Sequence, residues 1–544
     1  MIKSIKQKFL NSAPSNSVAS AAFVIAIAGI LSRVLGLFRD RILASHFGAG
    51  DTLDIYYAAF RVPDLIYNLL ILGALSAAFI PVFTSLIAKD EEKEAWELVN
   101  VFLTTALIFL IVIAAIFALF APQLMKLITP GFPADKLQGV ASLTRIMFLS
   151  PIFLGISGIF GGILNSFKRF LIYSLAPIMY NLGIIFGAVF LVKPFGIAGL
   201  AWGVVIGAFF HMLVQYPNVK MVGLKYFPHL NFKNKNLRKV ITLMIPRTMG
   251  LAVTQINLLI VTIIASTLAS GSISIFNFAN NLQSFPIGIF AIPFALAVFP
   301  ILSHHAARDE QNVFIHNFSK TFRQILFFII PASILILVLR AQIVRIVLGA
   351  GKFDWQDTIL TFQALGIFSV SLFAQATIPL LARAFYALHN TRVPFLAGIG
   401  GEAMNLAAAL ILSRYYGILG LVWAFSLSSI VEMFLLIFIL RNKLDYLDDK
   451  KIISVIFKIS LSALAAGLVA QLAKYLINPY VNLDTFLGVF WQMAFAGTLG
   501  TGSFLILAHF FDLEELRYIK KLFSTRIFRL RPPLPEDPTE ASGI

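Results

Sequence analysis

"SVASAAFVIAIAGILSRVLGLFRDRI", residues 17–42, starts as a membrane span and then takes on four charges, Arg33, Arg39, Asp40 and Arg41. About a dozen apolar residues precede Arg33, and the span is expected over 18–44. A charge at mid-bilayer costs at least ~2.5–3.5 kcal/mol, so such residues usually face a bundle interior or a watery cavity. Working outward from this stretch shows what kind of bundle that is.

The chain of 544 residues is 59% hydrophobic and 13% charged, with 53 Phe and no Cys. That apolar excess excludes a soluble domain of this size and points to an integral membrane protein. Long Leu/Ile/Ala runs suit helices, whereas a membrane barrel would show short alternating segments. Without cysteine there are no disulfides, no thiol chemistry and no lipidated Cys anchor. The formal charge of +17 lies mostly in short loops between apolar runs, which marks topology and not a nucleic-acid surface. The opening "MIKSIKQKFL" could imitate a secretory signal, but further spans follow it, so 18–44 is read as the first transmembrane helix.

A span needs about 20 residues. About fourteen such stretches are expected, the last near 485–510. Basic clusters recur on one side, in "KYFPHLNFKNKNLRK" (225–239), "RNKLDYLDDKK" (441–451) and the tail from Arg517. By the positive-inside rule both termini are cytoplasmic.

An internal repeat is visible. "IAGLAWGVV" (197–205) parallels "ILGLVWAFS" (418–426), pairing Trp202 with Trp423. "APIMYNLGIIFGA" (176–188) parallels "GGEAMNLAAALIL" (400–412), pairing Asn181 with Asn405. "SAAFIPVF" (76–83) parallels "ALAVFPIL" (295–302), and "LSRVLGL" (31–37) parallels "IPRTMGL" (245–251). The expected fold is an all-α polytopic membrane protein with two parallel six-helix lobes, 1–220 and 221–445. Two further helices occupy 446–512, and a basic, Pro-rich tail occupies 513–544. Related halves around a midplane site are the plan of alternating-access transporters.

Asp54, Arg61 and Asn68 are seven residues apart and share a helix face, and Pro63 is expected to bend that helix. Arg247 stands where the repeat pairs it with Arg33. Arg33, Arg39, Arg61 and Arg247, tempered by Asp40, Asp54 and Asp64, compose a cationic interior suited to a phosphate-bearing anion. The competing reading has Arg39, Arg41 and Arg247 reaching an interface or pairing with nearby Asp residues. Arg145 and His211 read as structural pairs or end-of-helix contacts. Glu402 and Glu432 read either as proton or cation sites or as satisfied structural acids. "GAGKF" (349–353) lacks the spacing of a phosphate loop, and the adjacent histidines of "SHHAARDE" (303–310) cannot converge on one metal and read as a solvated loop. No catalytic constellation is present, so no enzyme activity and no cofactor are expected.

"SRVLGLFRDRILASHFGAGDTLDIYYAAFRVPDL" (32–65), "ITPGF" (128–132), "ASGSISIFNFANNLQSFPIG" (269–288) and "GAGKF" together resemble the MurJ/MviN family. That family lies in the multidrug/oligosaccharidyl-lipid/polysaccharide exporter superfamily. The resemblance implies a flippase for lipid II, the undecaprenyl-diphosphate-linked peptidoglycan precursor. It would move the headgroup from the cytoplasmic to the periplasmic leaflet of the bacterial inner membrane, and the last two helices would offer a groove for the lipid tail. The implied partners are lipid II, membrane lipids and cell-wall synthesis proteins. Arg33, Arg39 and Asp54 match charged cavity residues of the family, and Arg61 matches a usually basic position. Tyr67, Asn68 and Leu72 stand where many members have a basic pair and an acid in helix 2. Asn281, preceded by Asn280, stands where members usually have Arg in helix 8. Val261 and Ala409 replace the acids with which some members bind sodium. Arg247 is expected to supply charge that Asn68 and Asn281 do not. Alternative functions are export of another polyprenyl-linked sugar or amphiphile by ion antiport, and a non-transporting membrane scaffold.

Overall fold

Ordinary helix-forming runs of Leu, Ala, Ile and Phe make the chain helical, and breaks fall at Gly, Pro, Asn and Asp turns. The structure is a computed structural model and describes residues 18–72 and 78–518. Every regular element among the described residues is helical. The first half holds α1 (Val18–Phe47), α2 (Asp51–Ile66), α3 (Ile80–Ala88), α4 (Glu92–Leu119) and α5 (Ala121–Ile128). It continues with α6 (Ala134–Met147), α7 (Leu149–Ser166), α8 (Phe170–Phe186), α9 (Val192–Phe195), α10 (Ala198–Leu213) and α11 (Tyr216–Met221). The second half holds α12 (Lys235–Ser266), α13 (Ser272–Pro286), α14 (Ile292–Ala307), α15 (Gln311–Val347) and α16 (Trp355–Ala387). It ends with α17 (Arg392–Tyr416), α18 (Ile418–Leu444), α19 (Asp449–Ile477) and α20 (Phe486–Phe510).

Eleven of the described helical segments are long and apolar enough to cross a membrane. They include neither α1, nor α2 with α3, nor α12, the segments that carry Arg33, Arg39, Arg61 and Arg247. This set is compatible with the fourteen spans expected. Leu119, Leu127, Phe438 and Leu468 remain exposed on the helices, as residues facing acyl chains should be.

Among the described residues, π-helical turns fall at Tyr67–Leu72, Gly187–Leu191 and Ile287–Ala291, and residues 78–79 are π-helical as well. Pro63 does not end α2, which stays α-helical to Ile66; the irregularity expected of it comes as the π turn that follows.

By packing, the described chain divides into two units. One runs through Phe285 and adds Ile343–Phe368 and Pro394–Glu432. Within it α8 and α10 meet at glycines: a Cβ on Gly183 would lie 2.2 Å from the Gly207 Cα, so the backbones touch where no side chain intervenes. The other unit comprises Pro286–Gln342, Ser369–Val393 and the chain from Met433. Its core joins Phe327 of α15 to Ile459, Ala463 and Ala466 of α19 and Phe504 and Ala508 of α20. Leu513 and Leu516, just beyond α20, fold back onto it. There Arg323, only 2% exposed, donates to Glu515 at 2.5 Å and to Glu514 at 3.3 Å. Glu514 also pairs with Lys451 at 3.1 Å. Burial opposes ionisation of Glu514, but the bonds from Lys451 and Arg323 outweigh it and hold the carboxyl below its ordinary range.

Candidate functional site

The charges of α1 and α2 fall within the first unit, and most of them are engaged. Arg39 donates through Nη2 and Nε to Asp40 Oδ1 at 2.8 and 3.0 Å, and through Nη1 to Asn181 Oδ1 of α8 at 3.1 Å. The other Asp40 oxygen accepts from Asn281 Nδ2 of α13 at 2.9 Å. Asp40, 2% exposed, is therefore fully served, and its partner is Arg39 and not Arg33. Asn281 spends its amide on this acid.

Asp54 is a helix cap supplied from a distance. Its carboxylate accepts from the backbone N–H of Gly271 at 2.7 Å and of Ser274 at 2.9 Å, and from the Ser274 hydroxyl at 2.7 Å. These are the orphan donors at the start of α13, which the positive end of the helix dipole makes attractive to an acid. Gly271 has φ +87°, and a Cβ there would strike the Ala49 carbonyl. Asp51 nearby accepts from Ser270 and pairs with Lys136.

One turn pair along α2, Arg61 donates to Thr262 Oγ1 of α12 at 2.7 Å and to Asn277 Oδ1 of α13 at 2.9 Å. Asp54 and Arg61 do share a face, as their spacing predicts, and both are used to hold α13. Asn68 turns back on its own helix, donating to the Asp64 carbonyl at 2.8 Å. Asn280 accepts from Gln283 at 3.0 Å. The side chain of Arg247 lies outside the described residues.

The same end of the unit gathers further latches. Ala49 N–H donates to Asp357 at 2.8 Å, Lys352 N–H donates to the Ser45 carbonyl at 2.9 Å, and Arg41 donates to the Ile346 carbonyl. Gly131 N–H donates to Ser266 at 3.3 Å. The turn "GAGKF" is thus a contact surface, and Arg41 is bound to backbone.

Arg33 is different. It is half-buried and has no hydrogen-bond or ion-pair partner among the described residues. It lines a cavity of about 440 Å³ within this unit, with Ser32, Tyr67, Asn165, Tyr173 and His211. The arrangement offers one unspent guanidinium and several hydrogen-bonding groups in a membrane-embedded hollow, which suits a phosphate. His211 meets Ser157 at 2.6 Å, and Arg145 donates to the Ala118 carbonyl at 3.1 Å, the structural roles expected of both. The paired histidines lie in the last turn of α14, not in a loop, and His305 contacts Glu310 at 2.5 Å.

Sequence reasoning missed the neutral partners. Asn181, Thr262, Asn277 and Ser274 receive or donate at the charges, but uncharged residues in apolar helices give no signal of that kind. It also missed Asn257, which donates to Glu402 at 2.7 Å. Val261 and Ala409 are buried apolar residues and offer no ligand.

Comparison with known proteins follows the same lines. The model of a family described as "Lipid II flippase MurJ" matches residues 43–491. A relative from Buchnera aphidicola subsp. Schizaphis graminum, named "Probable lipid II flippase MurJ", is 28% identical over 94% of this chain and all of its own length. One of the same name from Vibrio cholerae is 30% identical over 78% of this chain and 82% of its own. Among solved structures, "Lipid II flippase MurJ, inward closed conformation" is similar at a TM-score of 0.74 and 25% identity, covering 90% of this chain and 98% of that one. An inward-facing multidrug resistance MATE transporter of the MOP superfamily shares the fold at a TM-score of 0.66 and 16% identity.

Proposed function

The chain belongs to the lipid II flippase MurJ family, and from that premise we propose how its residues carry out the transfer. It is a multi-pass membrane transporter, not an enzyme, and its substrate is lipid II. The headgroup enters from the cytoplasmic leaflet of the bacterial inner membrane and leaves to the periplasmic one. Both termini are cytoplasmic, as the basic loops 225–239 and 441–451 suggest.

The observation that carries this reading is Arg33, which lines a cavity of about 440 Å³ and has no partner among the described residues. A diphosphate presents two anionic groups of the geometry that arginine grips in bidentate fashion. Ser32, Asn165 and Tyr173 stand ready for the remaining oxygens. Arg39, Arg61 and Asp54 then have a separate task. With the basic loops in the cytoplasm, the turns near residues 48, 270 and 350 lie at the periplasmic end, and these residues keep that end shut. Outward opening breaks the Asp54 cap, the Arg61 bridge and the contacts of Ser45 and Ala49. Each charge-assisted bond contributes about 1.5–3 kcal/mol, so headgroup binding or the membrane potential must supply the difference. A potential acts on the charged cargo at ~2.3 kcal/mol per charge per 100 mV. The lobes 1–220 and 221–445 rock about the site, while α19 and α20 flank the lipid tail.

The test is growth. The chain should rescue bacteria depleted of their own lipid II flippase, and Arg33→Ala should fail to rescue at equal membrane abundance. Failure of the unaltered chain would count against lipid II as its substrate.

A further inference from the structure

Two acids of the first unit take no part in the latches or the cavity. Glu402 of α17 accepts through Oε1 from Asn257 Nδ2 of α12 at 2.7 Å. The Asn257 carbonyl oxygen accepts in turn from Asn405 Nδ2 at 3.1 Å. Asn405 also stands within hydrogen-bonding reach of the Glu402 carboxyl. Glu432 of α18 packs over Gly401, where an added Cβ would lie 3.3 Å from Glu432 Cβ and 3.4 Å from its Oε2. Two carboxyls and two amides from three helices converge.

Their hydrogen bonds do not close. Glu402 Oε2 and Asn405 Oδ1 are both buried and both lack a partner among the described residues, Asn405 itself being 1% exposed. Both are acceptors, so the described cluster is short of one donor. No Lys, Arg or His among the described residues lies within coulombic reach of either acid. The facing groups are Asn257 from α12, Asn405 from α17 and Glu432 from α18. The cations of α17 and α18, Arg392, Arg414, Arg441 and Lys443, stand nine or more residues from the nearer acid on their helix, about 13 Å or more at 1.5 Å per residue. Unpaired buried acceptors are costly, and two neighbouring carboxylates in an apolar interior do not both stay ionised. The described residues contain no third acid, His or Cys that would complete a metal site here.

We propose that Glu402 and Glu432 bind one exchangeable proton and that its uptake and release couple flipping to a proton gradient. The coupling rests on the transporter function proposed above; the proton binding does not. The step adds one O–H bond at Glu402 Oε2, with the proton taken from water on one side of the membrane and returned to water on the other. Bound there, it donates to Asn405 Oδ1 and satisfies both orphan acceptors. Glu432 keeps the negative charge.

The experiment uses the full chain in lipid nanodiscs without lipid II, read by the infrared band of protonated carboxyls as pH is raised. A band should persist above the pH at which exposed carboxyls lose theirs. Glu402→Gln should abolish it, and that variant should fold well, because its amide supplies the missing donor. Glu432→Gln should move the loss of the band to lower pH, and Glu91→Gln, in an exposed turn, should leave it unchanged. Absence of the band, its survival in Glu402→Gln, or its removal by sodium at constant pH would overturn the proposal. In vesicles loaded with lipid II, an imposed pH gradient should change the flipping rate of the unaltered chain and not of Glu402→Gln. No response by the unaltered chain would overturn the coupling. No flipping at all would overturn the coupling and the lipid II reading beneath it, and the infrared result would still decide the proton pair by itself.

Discussion

Asn181 and Asn405, paired by the internal repeat, each bond to the first span of their own half, but with opposite polarity. Each lies on the fifth span of its half and reaches the first, Asn181 accepting from Arg39 and Asn405 donating to Asn257, both at 3.1 Å. What differs is the chemistry around them. The first amide serves a cation network with Asp40, whereas the second serves an acid, Glu402.

Arg33 and Arg39 should therefore separate by phenotype. Arg33→Ala removes a group to which no described residue is bonded, so flipping in reconstituted vesicles should fall by at least tenfold with thermal stability unchanged. Arg39→Ala leaves Asp40 buried without its cation and should cost about 3–5 kcal/mol. Membrane abundance and unfolding temperature distinguish the two variants before any transport is measured.

Asp54→Ala should weaken the shut end. It strips the Gly271 and Ser274 donors of their acceptor, at about 1–3 kcal/mol. Because the chain has no cysteine, Ala49→Cys gives a background-free probe. Its labelling by a membrane-impermeant thiol reagent should rise when Asp54→Ala is added. Unchanged labelling would mean that the cap does not hold this end closed.

Joining the shut end should arrest transport. Ser45→Cys with Lys352→Cys places thiols on two adjoining backbones. Oxidation should stop flipping, and reductant should restore it. Flipping at an undiminished rate while cross-linked would show that this end need not open.

Asn281→Arg should be tolerated, because the new guanidinium finds Asp40 Oδ2, which Asn281 already contacts at 2.9 Å. Growth rescue should persist. Loss of rescue would show that the added charge repels Arg39 more than it engages Asp40.

Acid should erase the contribution of Glu514. A carboxyl held below its ordinary range by Lys451 and Arg323 stabilises the fold above that range, and the stabilisation is lost as pH falls through the folded value. Glu514→Gln should be less stable than the unaltered chain at neutral pH and equal to it in acid. Glu515→Gln should be worse at neutral pH, because Arg323 is then left buried beside a neutral group.

Much of this architecture is legible in the sequence because hydrophobic length and loop charge report directly on spans. The shared face of Asp54 and Arg61 follows from heptad spacing, and both do reach α13. Their purpose does not follow, because the partners Gly271, Ser274, Thr262 and Asn277 are uncharged and lie about 200 residues downstream. A charged residue in a membrane helix advertises that something must neutralise it. It does not say whether that something is cargo or another helix. Arg33 and Arg39 look alike in the sequence, and only their surroundings separate them.

The π turns set how the helices that follow them are rotated. Tyr67–Leu72 and Ile287–Ala291 fall at matching places in the repeat, each just before the paired segments that contain Pro81 and Pro300. A π turn holds one residue more than an α turn, and one residue rotates everything beyond it by about 100°. Had only one copy gained the extra residue, the outward face of its following helix would have turned away from that of its twin. Excising one residue from a single copy should therefore turn the face of its following helix while the other copy keeps its own.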